Sequence, residues 1–141
     1  MIKLRLWHQD LISELPRQQL LGQHRECCAL RGKGWGRKHS VVDYVFTYNP
    51  THLVAYHYLI MDEMTRRGYH PDEVWRNRDW RGNELQEQKG WVDKDILSSV
   101  YNHTLSTKNN IFIEHNDEYL KECLENLKGK GIIIDRFKNL Y

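Results

Sequence analysis

Pro16–Gly32 reads PRQQLLGQHRECCALRG, and whether this stretch is a helix decides the class of the fold. Proline suits the first position of a helix, because its missing N–H would have had no partner there. Gly32 is a natural stop. Between them Leu20, His24 and Cys27 recur at helical spacing, with Leu21 and Cys28 beside them. On that wheel Gly22, Arg25, Glu26 and Ala29 fall on a different side. Glu26 therefore faces away from the core, and the small residue one turn before it, Gly22, lets something approach closely.

The neighbouring segments extend the helical reading. "RGKGWGRKH" sets Gly32, Gly34 and Gly36 among four basic side chains and Trp35, as a surface loop would. A second helix is expected from Pro50 to Arg67, with Asn49 as cap and Gly68 as stop. Its apolar stripe is Leu53, Tyr56, His57, Ile60 and Met64, and Asp62, Glu63, Arg66 and Arg67 form its wet side. Pro71 offers another turn and helix start. The Trp- and Arg-rich middle, with Trp75, Arg76, Arg78, Trp80 and Arg81, lacks clean periodicity and reads as loop with short helix. "DKDILSSVYNHTL" suits a further helix. Asn116 caps a last one, whose acids come first and lysines last, as the helix dipole favours. "GIIID" is a short strand or an extended apolar segment. The expected fold is mainly α, a compact single domain over residues 1–141 with about three to five helices and long loops.

A chain of 141 residues, 40% hydrophobic and 28% charged, suits one soluble globular domain. The apolar run "LVAYHYLIM" is too short to span a bilayer. "MIKLRLWHQD" lacks the apolar core of a secretory signal, so a cytoplasmic location is expected, without membrane attachment. Three cysteines, two adjacent and one distant, with no CxxC pair, read as reduced thiols. Net charge is only +2, yet residues 1–40 hold eight Lys and Arg against three acids, and the remainder thirteen against sixteen. A basic N-terminal third attracts phosphate whatever the net charge.

"LISELPRQQLLGQHRE", followed by "RKH", resembles the N-terminal region of the pyrimidine-dimer DNA glycosylases, small helical repair enzymes of the dimer-specific endonuclease V type. The shared pattern is Leu11-Ile12-Ser13-Glu14-Leu15 and then His24-Arg25-Glu26, with the best match within residues 1–70. The resemblance implies base excision on damaged double-stranded DNA by a glycosylase with abasic-site lyase (strand-cleaving endonuclease) activity. An α-amine attacks C1′ and forms an imine, while an essential glutamate assists proton transfer and β-elimination. It implies no cofactor, no metal and no obligate protein partner. The matching carboxylate is Glu26. Arg25 matches a residue that contacts DNA phosphate, and Arg31, Arg37 and Lys38 extend that match. The family's register puts the expected amine at about Arg5, inside this chain, so Met1 to Leu4 are additional. The α-amine of Met1, the side chain of Lys3, a processed start, or water activated by Glu26 are the alternatives.

Each feature has a plainer reading. Glu26 could be a solvated carboxylate paired with Arg25. His24 with Cys27 could hold a metal, but two further ligands are missing. His8 could support the site or be a partly buried histidine bonded to backbone. The loop residues Lys33, Trp35, Arg37, Lys38 and His39, with Arg5 near the N-terminus, could hold phosphates while Trp35 stacks on a base; the loop could equally be an ordinary solvated one. A non-catalytic nucleic-acid-binding protein that kept the fold but lost the amine is the rival reading. A metal-dependent nuclease using histidines and Glu26 is a third.

Overall fold

In the computed structural model, which describes residues 5–37 and 41–140, the decisive stretch is helix α1, Arg17–Arg31. Pro16 sits just outside it, as the capping residue rather than the first helical one, and its carbonyl accepts from Leu20 N–H at 3.0 Å. Before it lie an extended segment and a 3-10 turn, Gln9–Glu14. After it the chain turns back sharply at Gly34, where a Cβ would stand 2.7 Å from the Ala29 carbonyl oxygen. Only glycine lets the backbone approach the end of α1 that closely.

Helix α2, Pro50–Arg66, starts and stops where its punctuation says. The Asn49 side chain accepts from Thr51 N–H at 2.8 Å, and Gly68, at φ +86°, lets Tyr69 N–H reach back to the Met64 carbonyl at 2.8 Å. Its burial goes well beyond the expected stripe, because Val54, Ala55 and Met61 are as fully covered as Leu53, Tyr56 and Ile60. A helix apolar around most of its circumference belongs at the centre of a fold. Here α1, the Gln9–Glu14 turn and a later helix, Lys94–Thr107, all pack against it. Each fully buried Leu, Ile or Met contributes about 1.5–3 kcal/mol. By that measure α2 outweighs α1, whose buried apolar residues are Leu20, Cys27 and Leu30.

The remaining elements complete an all-α fold. The middle holds a 3-10 turn, Glu73–Arg76, and a single-turn helix α3, Gly82–Leu85. Helix α4, Lys94–Thr107, is capped by Asp93, whose carboxylate accepts from Asp95 and Ile96 N–H. Helix α5, Asp117–Gly129, is capped by Asn116 through Tyr119 N–H at 2.9 Å. The "GIIID" segment is extended rather than a strand. It sends Ile134 into the core and leads into the 3-10 stretch Asp135–Leu140. Among the described residues the only β-type pairing is an isolated bridge between Trp80 and Glu87. No helix among them is long and apolar enough to cross a membrane.

Candidate active site

The N-terminal segment lies along α1 and is fastened there by one side chain. Gln23 projects inward from α1, 1% exposed. Its Oε1 accepts from Trp7 N–H at 2.6 Å, and its Nε2 donates to the Arg5 carbonyl at 2.7 Å. Tyr56 of α2 closes the cluster from below, with its hydroxyl 2.6 Å from the Trp7 carbonyl and 2.9 Å from Gln23 Oε1. From the other side the Tyr119 hydroxyl of α5 donates to the Leu6 carbonyl at 2.6 Å. Residues 5–7 are thereby tied to three helices.

Glu26 stands one turn further along α1, half-buried at the edge of this cluster. Its Oε2 accepts from Arg5 N–H at 3.2 Å and from Gln23 Nε2 at 3.1 Å. Burial raises its pKa above the ordinary carboxylate value; the Arg5 N–H, the Gln23 amide and the charges of Arg25 and Arg5 only partly offset that. A carboxyl held this way exchanges protons closer to neutral pH than a solvated one. Around it the outer face of α1 is open and basic. Arg25 and Ala29 are exposed, and Arg17, Gln18, Leu21 and Arg25 line a shallow groove. A Cβ on Gly22 would meet nothing closer than Arg25 Nη2 at 3.7 Å, so this part of the face is unobstructed.

Arg31, expected on the DNA-contacting face, is instead fully buried. Its guanidinium donates to the carbonyls of Trp75, Asn77 and Trp80 at 2.8–3.2 Å and lies 5.0 Å from the centre of the Trp75 ring. Burial lowers its pKa to about 10, which still leaves it charged at neutral pH. Arg31 is the peg on which the Trp-rich segment hangs. Arg81 of that segment returns the contact, donating from Nε to the Arg31 carbonyl at 2.8 Å and from Nη2 to the Gly32 carbonyl at 3.1 Å. These bonds satisfy carbonyls at the end of α1 that the helix leaves unpaired.

His24 meets Cys28 and His57 rather than Cys27, and the three could hold a metal by proximity alone. Their hydrogen bonds argue otherwise. Arg31 Nη1 lies 2.9 Å from His57 Nδ1, and a guanidinium can only donate. The His57 proton is therefore on Nε2, which donates to His24 Nδ1 at 2.8 Å. That leaves the His24 proton on Nε2, directed at Cys28 Sγ 3.8 Å away. Both Nδ1 lone pairs are engaged, and a cation would sit beside Arg31. Burial also pushes the Cys28 thiol up to about 12 and His57 well below its ordinary value. Through these contacts the three side chains join α1 to α2.

The loop residues divide by role. Lys33 is exposed and paired with Glu84, and Arg37 is exposed with its Nε donating to the Lys33 carbonyl at 2.9 Å. Trp35 packs edge-on against Phe46 and Trp91, with ring centres 5.0 and 5.8 Å away, so the core already claims much of its surface. His8 is buried, with Nδ1 accepting from Asp10 N–H at 3.0 Å and its ring stacked on His115; the backbone-bonded histidine reading describes it. Met1, Lys3, Lys38 and His39 lie outside the described residues. Gln23 was missed from sequence, although a polar residue three positions after Leu20 and four before Cys27, on the buried stripe, was its signal.

Residues 4–77 match the family model described as pyrimidine dimer DNA glycosylase, which covers just over half of the chain. The chain belongs to that family. No curated protein and no solved structure matches it.

Proposed function

We propose that this member of the pyrimidine dimer DNA glycosylase family excises the damaged base through an amine nucleophile and then cleaves the strand as an abasic-site lyase, with Glu26 as the proton-transferring residue. Family membership carries the coarser part, glycosylase-type chemistry on DNA. The finer part rests on one observation: the backbone nitrogen of Arg5 lies 3.2 Å from Glu26 Oε2, beside the open basic face of α1. An amine delivered just before Arg5 is then within reach of the acid. The α-amine of Met1 and the side chain of Lys3 belong to the residues immediately preceding it, and in a chain processed to begin at Arg5 that nitrogen is itself the α-amine. An α-amine suits the task because its reference pKa near 8 leaves a useful neutral fraction at neutral pH.

In the proposed sequence the amine lone pair adds to C1′ as the glycosidic bond breaks, and the base takes up a proton while staying attached to its dimerised neighbour. Loss of the amine proton and opening of the sugar give an imine. Removal of a C2′ proton then expels the 3′ phosphate. Glu26, with its pKa raised, accepts and returns protons in these steps. Arg25 holds a neighbouring phosphate, and damage lowers the cost of unstacking the lesion, about a few kcal/mol in sound DNA. The chemistry calls for no metal or organic cofactor.

Formation of alkali-labile sites and strand breaks at pyrimidine dimers in ultraviolet-irradiated duplex DNA tests this reading, because a dimerised base stays tethered to its neighbour when its own glycosidic bond is cut. The wild-type protein is expected to make these cuts with or without a chelator, and Glu26→Gln to lose on the order of 10²–10⁴-fold in rate. Binding without glycosidic or strand cleavage would leave a nucleic-acid-binding protein. Cleavage abolished by the chelator would mean a metal-dependent nuclease.

A further inference from the structure

We infer that Gln23 is a positioning residue of the reaction, setting the Glu26 carboxylate against the nitrogen of Arg5 and tuning its proton affinity. The inference rests on the function proposed above. A glutamine amide has two N–H donors and an oxygen with two lone pairs. Here both donors are engaged, one on the Arg5 carbonyl at 2.7 Å and one on Glu26 Oε2 at 3.1 Å. The oxygen faces Trp7 N–H at 2.6 Å and the Tyr56 hydroxyl at 2.9 Å. Trp7 N–H fixes the orientation of the amide, since a flipped side chain would set donor against donor at that distance.

Two consequences follow from this single side chain. The peptide unit at Arg5 is held from its carbonyl side by Gln23 and from its N–H side by Glu26. The backbone and the acid therefore share one template, and neither shifts without the other. Among the described residues both hydrogen bonds to Glu26 end on Oε2. The Gln23 donor favours the ionised carboxylate and opposes the upward push of burial. A residue 1% exposed, with every polar capacity committed, keeps that geometry without reorganisation.

Gln23→Glu is the informative substitution. It keeps the length and the acceptors for Trp7 and Tyr56, removes both donors and places a second carboxylate at hydrogen-bonding distance from Glu26. The titration of the Glu26 side-chain carboxyl, followed by its carbon-13 resonance, is expected to move upward by at least about one unit, because two carboxylates this close do not both ionise readily. Tyr56→Phe, which loosens the same cluster without touching Glu26, is expected to lower thermal stability and leave the Glu26 titration in place. An unmoved Glu26 titration in folded Gln23→Glu overturns the inference.

A wild-type measurement covers the case in which Gln23→Glu does not fold. The side-chain amide resonances of Gln23 are expected to follow the ionisation of Glu26 and to lose that step in Glu26→Gln; resonances indifferent to it overturn the inference. A wild-type protein that makes no glycosidic or strand cut at dimers overturns it as well, together with the proposed function. Tracking resonances in such a protein identify the failure as that of the proposed chemistry rather than of the contact.

Discussion

Acid should loosen the seat of the N-terminal segment, and His115 sets the scale of the effect. Its Nδ1 accepts from Gln9 N–H at 3.1 Å, so the ring proton is on Nε2, 2.8 Å from the Tyr44 hydroxyl. The ring packs against both His8 and Tyr119, with centres 5.3 and 5.2 Å away. A second proton would replace the acceptor for Gln9 with a donor and bury a charge against His8. Desolvation first and His8 second lower the His115 pKa from 6.5 to about 3. A histidine with a depressed folded-state pKa contributes stability that is present above about 6.5 and lost as pH falls toward about 3. At about pH 5, 1.5 units below the unfolded value and at about 1.4 kcal/mol per unit, the loss from His115 alone is about 2 kcal/mol. His8, His24 and His57 are also lowered by burial and act in the same direction. Urea denaturation at about pH 8 and pH 5 measures this for the wild type and for His115→Gln, which can still accept from Gln9 and donate to Tyr44 without titrating. The wild type is expected to lose at least about 2 kcal/mol between the two, and the variant about 2 kcal/mol less than the wild type. Identical acid sensitivity in both proteins would refute the reasoning.

Three further substitutions probe the site and its support. Glu26→Gln is expected to unfold at a higher temperature than the wild type near pH 7 while losing activity. Because burial raises the folded-state pKa of Glu26, its ionisation costs stability as pH rises through and above the ordinary carboxylate range; melting curves should converge below about pH 4. Arg31→Met leaves the carbonyls of Trp75, Asn77 and Trp80 without their donor and should cost roughly 3–5 kcal/mol in chemical denaturation. Duplex affinity of the protein still folded should be unchanged, whereas a drop in affinity with stability intact would restore Arg31 to the DNA face. Arg25→Gln should weaken duplex binding across sequences and reduce the slope of log affinity against log salt by about 1, read by fluorescence anisotropy.

The helices were legible because their punctuation is local. Asn49-Pro50, Gly68 and Asn116 each mark a boundary by side-chain or backbone chemistry confined to a few residues. Helical spacing separated Glu26 from Leu20 and Cys27, but its half-burial against Gln23 and the Arg5 backbone, rather than an outward face, came from a segment 21 residues away. Arg31 misled because its partners are carbonyls 44 to 49 residues away, and no local pattern distinguishes a buried arginine from a phosphate-binding one. Trp35 likewise meets Phe46 and Trp91, partners outside any short window around it. Gln23 and His115 were hidden by distance too, Gln23 contacting Trp7 and Tyr56 and His115 contacting Gln9 and Tyr44. What a short window of sequence shows is which face a side chain takes; what it cannot show is the remote backbone that will meet it there.

In the proposed mechanism an amine beside Arg5 attacks the sugar while Glu26 moves protons. Borohydride reduction of the protein on duplex DNA containing an abasic site, followed by mass spectrometric mapping of the adduct, tests it most directly. The expected result is a covalent adduct on a nitrogen among residues 1–5, abolished when those amines are blocked and depleted in Glu26→Gln. An adduct mapped to a lysine elsewhere in the chain, or strand cleavage at the abasic site with no adduct at all, would contradict it.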